Sequence, residues 1–160
     1  MESYSNVSED LLKTVQKYIS ECHLEALRKA RKHWQEQKFL ASPFASNLDE
    51  PFSATLLRLI DQSGEKDAEI YQRANIDRRL FSKIRSNPDY MPSKPTILAL
   101  AIALKLPLEH TEDLLKRAGY SLSHSQKFDV IIEYFIRNNR YNIFEINEVL
   151  FHYDQPILGG

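Results

Sequence analysis

The stretch Asn75–Asn87, NIDRRLFSKIRSN, concentrates cationic side chains in one short segment. Its four cations are Arg78, Arg79, Lys83 and Arg85. A single carboxylate, Asp77, accompanies them. Arginine can bind guanine O6 and N7 through two parallel hydrogen bonds, and lysine or arginine can bind phosphate, so this composition suits contact with DNA.

Two large apolar residues, Phe81 and Ile84, lie three positions apart in this segment and define an inward face if it is helical. At about 100° per residue, Arg79, Ser82 and Lys83 point most directly away from that face. We therefore expect Arg79 to contact a guanine, Ser82 to donate or accept a hydrogen bond, and Lys83 to reach a base edge or a phosphate.

Four further cations complete the candidate DNA-binding set. Arg78 lies on the flank of the same helix, and Arg73, Arg85 and Lys94 are expected to bind phosphates and so to set the position of the helix on the duplex. The alternative is a solvated cationic helix on a fold that serves protein contacts.

The residues that could form a metal site or a catalytic centre are sparse. Cys22 and His23 are adjacent, but Cys22 is the single cysteine of the chain. The other histidines show no spacing typical of metal ligands; they are His33, His110, His124 and His152. No glycine-rich phosphate loop is present. The sequence therefore predicts no metal, no cofactor and no catalytic residue, and the protein is not expected to be an enzyme.

The overall charge argues against a protein that coats nucleic acid by bulk attraction, since 21 Lys and Arg and 22 Asp and Glu give a net charge of −1. The charges are nevertheless unevenly placed. Residues 72–95 hold six cations and two anions, whereas residues 127–154 hold three cations and five anions. No apolar run approaches the roughly 20 residues of a membrane span, and no signal peptide is evident, so we expect no membrane contact and a cytoplasmic location.

Apolar residues recur at helical spacing throughout, and no strand-like alternation of useful length occurs, so the chain is predicted to be all-α. Its predicted parts are an N-terminal helical segment (1–40), a linker (41–51), a five-helix domain (52–119) and a C-terminal helical extension with a tail (120–160). Ser8 is a plausible N-cap for the first helix. Whether residues 8–38 form one helix or two stays open.

The five helices of residues 52–119 are delimited by residues that favour turns and helix ends. Gly64 suits the end of the first helix, and Asn75 suits a left-handed turn between the second and third. Asp77 can cap the third helix, and Pro95 is acceptable in the first turn of the fourth. The fourth helix is expected to run through TILALAIALKL until Pro107 breaks it, and the fifth, LEHTEDLLKRA, ends at Gly119.

Residues 52–118 resemble the helix-turn-helix domain of the Cro/C1 repressor (XRE) superfamily. The similarity lies in KDAEIYQRA, the turn at Asn75–Ile76, DRRLFSKIRSN and PSKPTILALAIAL, in that order. A longer block, through the DQPILG tail, is similar to an uncharacterised helical module of Gram-positive bacteria that can follow macro domains or other N-terminal domains. The resemblance implies a lambda-repressor-like five-helix domain.

Several residues depart from DNA-binding members of that superfamily. The position where those members carry a phosphate-binding Gln is Asp67, and a carboxylate facing a phosphate is repulsive. An arginine–glutamate ion pair between the first and third helices of those members has no equivalent, because the matching residues are Ile60 and Arg85. Asp61 could pair with Arg85 instead.

The last 40 residues are rich in aromatic side chains, which could form a second small core or a surface for association. Dimeric helix-turn-helix proteins need such a surface, and aromatic residues are enriched at interfaces. A homodimer is therefore expected, and a different protein partner at these C-terminal helices is the alternative. The tail, PILGG, is typical of flexible chain ends.

Together these features predict a DNA-binding protein that regulates transcription through a recognition helix and binds double-stranded DNA as a homodimer. The alternative is a non-enzymatic adaptor that uses the same helices to bind a protein.

Overall fold

The computed structural model describes residues 8–37 and 50–159, and within these ranges every regular element is an α-helix. The prediction of an all-α chain is therefore confirmed for the described residues. The helices are α1 Glu9–Gln37, α2 Phe52–Gln62, α3 Asp67–Arg73, α4 Arg78–Ser86, α5 Lys94–Ala103, α6 Leu108–Arg117, α7 Lys127–Arg137 and α8 Ile143–His152. None of these helices is long and apolar enough to span a membrane.

α1 is one continuous helix, which settles the question that the sequence left open. It begins as predicted, with the Leu11 amide donating to the Ser8 hydroxyl at 3.2 Å. Its buried residues Leu11, Val15 and Cys22 belong to the stripe that faces α7. The side chains of Leu27 and Trp34, most of the basic run after Arg28, and linker residues 41–49 lie outside what the structure describes.

Most turns and caps of residues 52–119 follow the predicted signals, but the helix predicted to continue until Pro107 ends at Ala103, before the left-handed Lys105 (φ 53°). Gly64, Asn75 and Gly119 all have positive φ, at 69°, 53° and 83°. The Asp77 carboxylate accepts a hydrogen bond from the Arg79 amide at 2.8 Å and so caps α4. Pro107 immediately precedes α6. Local chemistry therefore accounts for where most of these helices begin and end.

α7 lies at the centre of the C-terminal half, and all of its residues from Asp129 to Ile136 are buried. It contacts α1, α6 and α8, while α8 also reaches α5. One continuous hydrophobic core consequently joins residues from Leu11 to Leu158. Most of the C-terminal aromatic residues pack into or against this core, and Phe135 is fully buried.

The C-terminal tail is fixed as far as Gly159, contrary to the expectation of a flexible end. Leu158 is fully buried, its amide donates to Asn147 Oδ1 at 2.7 Å, and Asn147 Nδ2 donates back to the Leu158 carbonyl at 3.1 Å. Gly159 has a φ of 106°, and a Cβ there would lie 2.6 Å from the Asn75 carbonyl oxygen. The tail thus packs against the turn between α3 and α4.

Candidate nucleic-acid interface

α4 is held in a fixed rotation by its two apolar residues. Phe81 and Ile84 are each 3% exposed, and the Phe81 ring lies 5.6 Å from the Tyr71 ring of α3. The turn before α4 is further fixed by the left-handed Asn75 and by the Asp77 cap. These contacts determine which side chains of α4 reach solvent.

The outward face of α4 is formed by exposed polar and cationic side chains: Arg78, Arg79, Ser82, Lys83 and Ser86. No carboxylate occurs between the first and last residues of the helix. Lys83 Nζ lies 4.3 Å from the centre of the Tyr90 ring, a cation–π contact that directs this lysine toward the loop after α4. The predicted outward positions of Arg79, Ser82 and Lys83 are confirmed as exposed.

Arg85 occupies a different environment from these residues. Its Nε and Nη2 bind the two carboxylate oxygens of Asp67 at 2.8 and 2.9 Å, and Nη2 also bonds Asp61 Oδ1 at 3.0 Å. The suggested Asp61–Arg85 pair is therefore confirmed. Hydrogen bonding to Arg85 lowers the pKa of Asp67. The carboxylate that would have faced a phosphate is thus neutralised by an arginine of α4.

Arg73 and Lys94, predicted to bind phosphates, also have partners within the chain. Arg73 donates to the Ala103 carbonyl at 2.8 Å and pairs with the Glu65 carboxylate. Lys94 Nζ lies 2.6 Å from Asp129 Oδ1, in an ion pair rather than an aligned hydrogen bond. The Lys94 side chain is 22% exposed and Asp129 only 2%. These two cations join elements of the fold.

An open groove of about 500 Å³ separates the start of α3 from the outward face of α4. It is lined by Asp67, Ala68, Tyr71, Arg78, Phe81, Ser82, Arg85 and Ser86. The groove carries the Asp67–Arg85 pair on its wall and Arg78 at its side. Its lining combines charged and hydroxyl groups with the apolar Ala68, Tyr71 and Phe81, and it could accommodate part of a nucleic-acid backbone or a short acidic segment.

A second cluster of functional groups lies apart from α4, and the sequence analysis did not predict it. Ligand atoms of Cys22, His124 and Glu133 lie within 4.8 Å of one another. His124 and Glu133 are 2.5 Å apart between Nε2 and Oε2, and burial raises the pKa of the Cys22 thiol. Spacing along the chain gave no signal for this cluster, because Cys22 and His124 come from distant segments.

Comparison with known proteins gives no match, whether to a family model, to a curated protein or to a solved structure.

Proposed function

We propose that the protein binds double-stranded DNA with sequence preference and regulates transcription, with α3 and α4 acting as a Cro/C1-type helix-turn-helix in a lambda-repressor-like domain. The observation that carries the proposal is the outward face of α4, which is cationic and hydroxyl-bearing and contains no carboxylate. A recognition helix in the major groove requires such a face on a rigid support. Phe81 and Ile84 supply the support.

In this proposal Arg79 and Ser82 contact base edges, because they are exposed and no carboxylate of the described residues pairs with their side chains; the Asp77 cap takes the Arg79 backbone amide. Arg78 and Lys83 bind phosphates or flanking bases. Arginine is the residue best suited to guanine, through two parallel hydrogen bonds. We therefore assign the largest share of sequence preference to Arg79.

Arg85 has an indirect role in the proposal. It neutralises Asp67 and holds the start of α3 against the end of α4, so the carboxylate does not repel the DNA backbone as strongly as its sequence position suggests. Arg73 and Lys94 likewise keep α3 and α5 in place. DNA affinity then depends on few phosphate contacts, and a homodimer with two α4 helices would compensate by contacting two half-sites.

Selection of DNA sequences from a random duplex pool, with the full-length protein at physiological salt, tests this function. We expect enrichment of a motif with two half-sites whose centres are about 34–36 Å apart, one helical turn. The Lys116→Ala variant is a matched control, because Lys116 is an exposed cation on α6. It should select the same motif.

An adaptor that binds an acidic protein is the second candidate. It is favoured by the internal pairing of Arg73, Arg85 and Lys94, which leaves fewer cations for phosphates than the sequence predicted. The two functions differ in the selection experiment. A pool that shows no enriched sequence, with equal weak binding to all duplexes, would exclude the regulator and favour the adaptor.

A further inference from the structure

The segment before α7 brings His124 to two functional groups that are far from it in sequence. Cys22 lies on α1 and Glu133 on α7, and each is at most 5% exposed. A thiol, an imidazole and a carboxylate that converge from three segments form a set of one sulfur, one nitrogen and one oxygen donor. Such mixed sets suit zinc, which accepts all three ligand types in tetrahedral sites.

We propose that Cys22, His124 and Glu133 bind a divalent zinc ion that fastens α1 to α7. Their ligand atoms already lie within 4.8 Å of one another. In a tetrahedral zinc site, ligand atoms about 2.0–2.3 Å from the metal are separated by about 3.3–3.7 Å. The cysteine therefore moves inward slightly, and the His124–Glu133 hydrogen bond opens from 2.5 Å to admit the ion.

The surroundings of Glu133 are those of an oriented metal ligand. Its Oε1 accepts a hydrogen bond from Arg137 Nε at 3.1 Å and lies 3.0 Å from Arg137 Nη2 in the same ion pair, whereas Oε2 faces His124. One carboxylate oxygen is thus held by an arginine while the other remains directed toward the proposed ion. Charged partners outside the ligand set commonly fix ligand orientation in this way.

The charged groups around the cluster are the Glu133 carboxylate, its partner Arg137 and, once zinc binds, the Cys22 thiolate. Zinc binding replaces the Cys22 thiol proton, so a thiolate and the Glu133 carboxylate face the two positive charges of the ion, and Arg137, which pairs with Glu133, adds a third positive charge. The released proton passes to solvent. The histidine binds in its neutral form, and affinity is therefore expected to decrease as the pH is lowered.

His124 also lines a cavity beside the cluster. A cavity of about 430 Å³ is lined by His23, His124, Ser125 and Lys127, among others. His124 belongs to both the cavity and the cluster, whereas Cys22 and Glu133 do not line the cavity. Three protein ligands plus water complete a four-coordinate site.

Titration of the full chain with cobalt(II) tests the proposal, because cobalt in a tetrahedral site with a thiolate ligand gives visible d–d bands and a thiolate-to-metal charge-transfer band. We expect one equivalent to bind, and zinc to displace it and abolish both bands. Cys22→Ser should remove the charge-transfer band, and His124→Ala should weaken binding at least about 100-fold. The control is His110→Ala, which alters an exposed histidine of α6 and should bind cobalt normally.

Circular dichroism of each variant without metal checks that the helices remain. Because His124 lies in the loop before α7, His124→Ala keeps the test decisive if Cys22→Ser unfolds. Absence of the charge-transfer band in the natural chain would overturn the proposal. Equal cobalt binding by the natural chain and by His124→Ala would overturn it as well.

Discussion

Asp129 is a buried carboxylate in the first turn of α7, and its charge is balanced by one lysine from α5. Lys94 lies 2.6 Å from its Oδ1, and the Ser123 amide donates to Oδ2 at 2.8 Å. A buried charge that loses its partner is costly, whereas an exposed cation that binds phosphate can be removed with little effect on stability. The position of Lys94 therefore indicates that its main role is to stabilise the fold, and any contact with DNA is secondary.

Lys94→Ala is expected to lower the free energy of unfolding by about 1–3 kcal/mol, because it leaves the Asp129 carboxylate without its ion-pair partner. Urea denaturation followed by circular dichroism gives the value. Lys116→Ala, which removes an exposed lysine, should change stability by no more than about 0.5 kcal/mol. Equal stability of the two variants would show that Asp129 does not depend on Lys94.

The stabilisation of the fold by the Asp67–Arg85 pair is expected to depend on pH. Arg85 lowers the pKa of this carboxyl in the folded protein, so the pair stabilises the fold above the unfolded pKa of about 3.9 and the contribution is lost as the pH falls through the lower folded value. Since Asp67 is 43% exposed, the contribution is expected to be only about 0.5–1 kcal/mol.

Asp67→Asn should therefore reduce stability at pH 7 by about that amount, and the difference from the natural chain should shrink as the pH falls below about 4. Urea denaturation over a pH series measures both quantities. A difference that stays constant down to acid pH would mean that Asp67 acts through its shape and not through its charge.

At the scale of elements, the sequence was sufficient to predict the helix ends that depend on neighbouring residues. Gly64, Asn75 and Asp77 act through backbone conformation or a cap two residues away, and each was predicted in its place. Pro107 precedes α6 as predicted, but it does not end α5, which stops at Ala103 before the left-handed Lys105. The inward face of α4 was likewise predicted, because the positions of Phe81 and Ile84 fix the rotation of a helix of known period.

Contacts between distant segments could not be predicted in the same way. Which of several carboxylates approaches Lys94 depends on how α5 packs against α7, and no local pattern encodes that packing. The same holds for the meeting of Cys22 with His124, and for Leu158, whose burial depends on Asn147 of α8. The tail was predicted to be flexible because the composition of PILGG is typical of flexible chain ends. Nothing in the local sequence indicates that Leu158 packs against α8.

The packing of the C-terminal tail can be tested at Gly159. Gly159→Ala is expected to destabilise the protein by about 1–3 kcal/mol, because a Cβ would meet the Asn75 carbonyl and the residue has a left-handed backbone. Gly119→Ala is a matched control, since Gly119 also has a positive φ but nothing lies within 4 Å of its Cβ position. Comparison of the thermal unfolding of both variants separates the effect of the contact with the Asn75 carbonyl from that of the left-handed backbone.

The packing of the tail against the turn before α4 is measured by the stability that Gly159→Ala loses beyond the loss in Gly119→Ala. Equal destabilisation of the two glycine variants would indicate that backbone strain alone operates. An unchanged Gly159→Ala protein would contradict the docking of the tail.

At the scale of the whole molecule, one core connects α1, the five helices α2–α6 and the C-terminal pair α7 and α8. The cationic face of α4 is attached to this core through Phe81 and Ile84, and the Asp67–Arg85 pair lies on the wall of the neighbouring groove. The proposed function requires that this rigid attachment present the same side chains to each DNA site.

The most direct test of the DNA-binding proposal is a titration of the selected duplex with the natural chain and with Arg79→Ala, followed by fluorescence anisotropy at fixed salt. Arg79→Ala should weaken binding to the best site by about 1–3 kcal/mol and relax the preference at one base pair. Binding to a scrambled duplex should change much less, and Lys116→Ala should behave as the natural chain does. If Arg79→Ala binds the selected and scrambled duplexes as the natural chain does, or if the natural chain does not distinguish them, α4 is not a recognition helix.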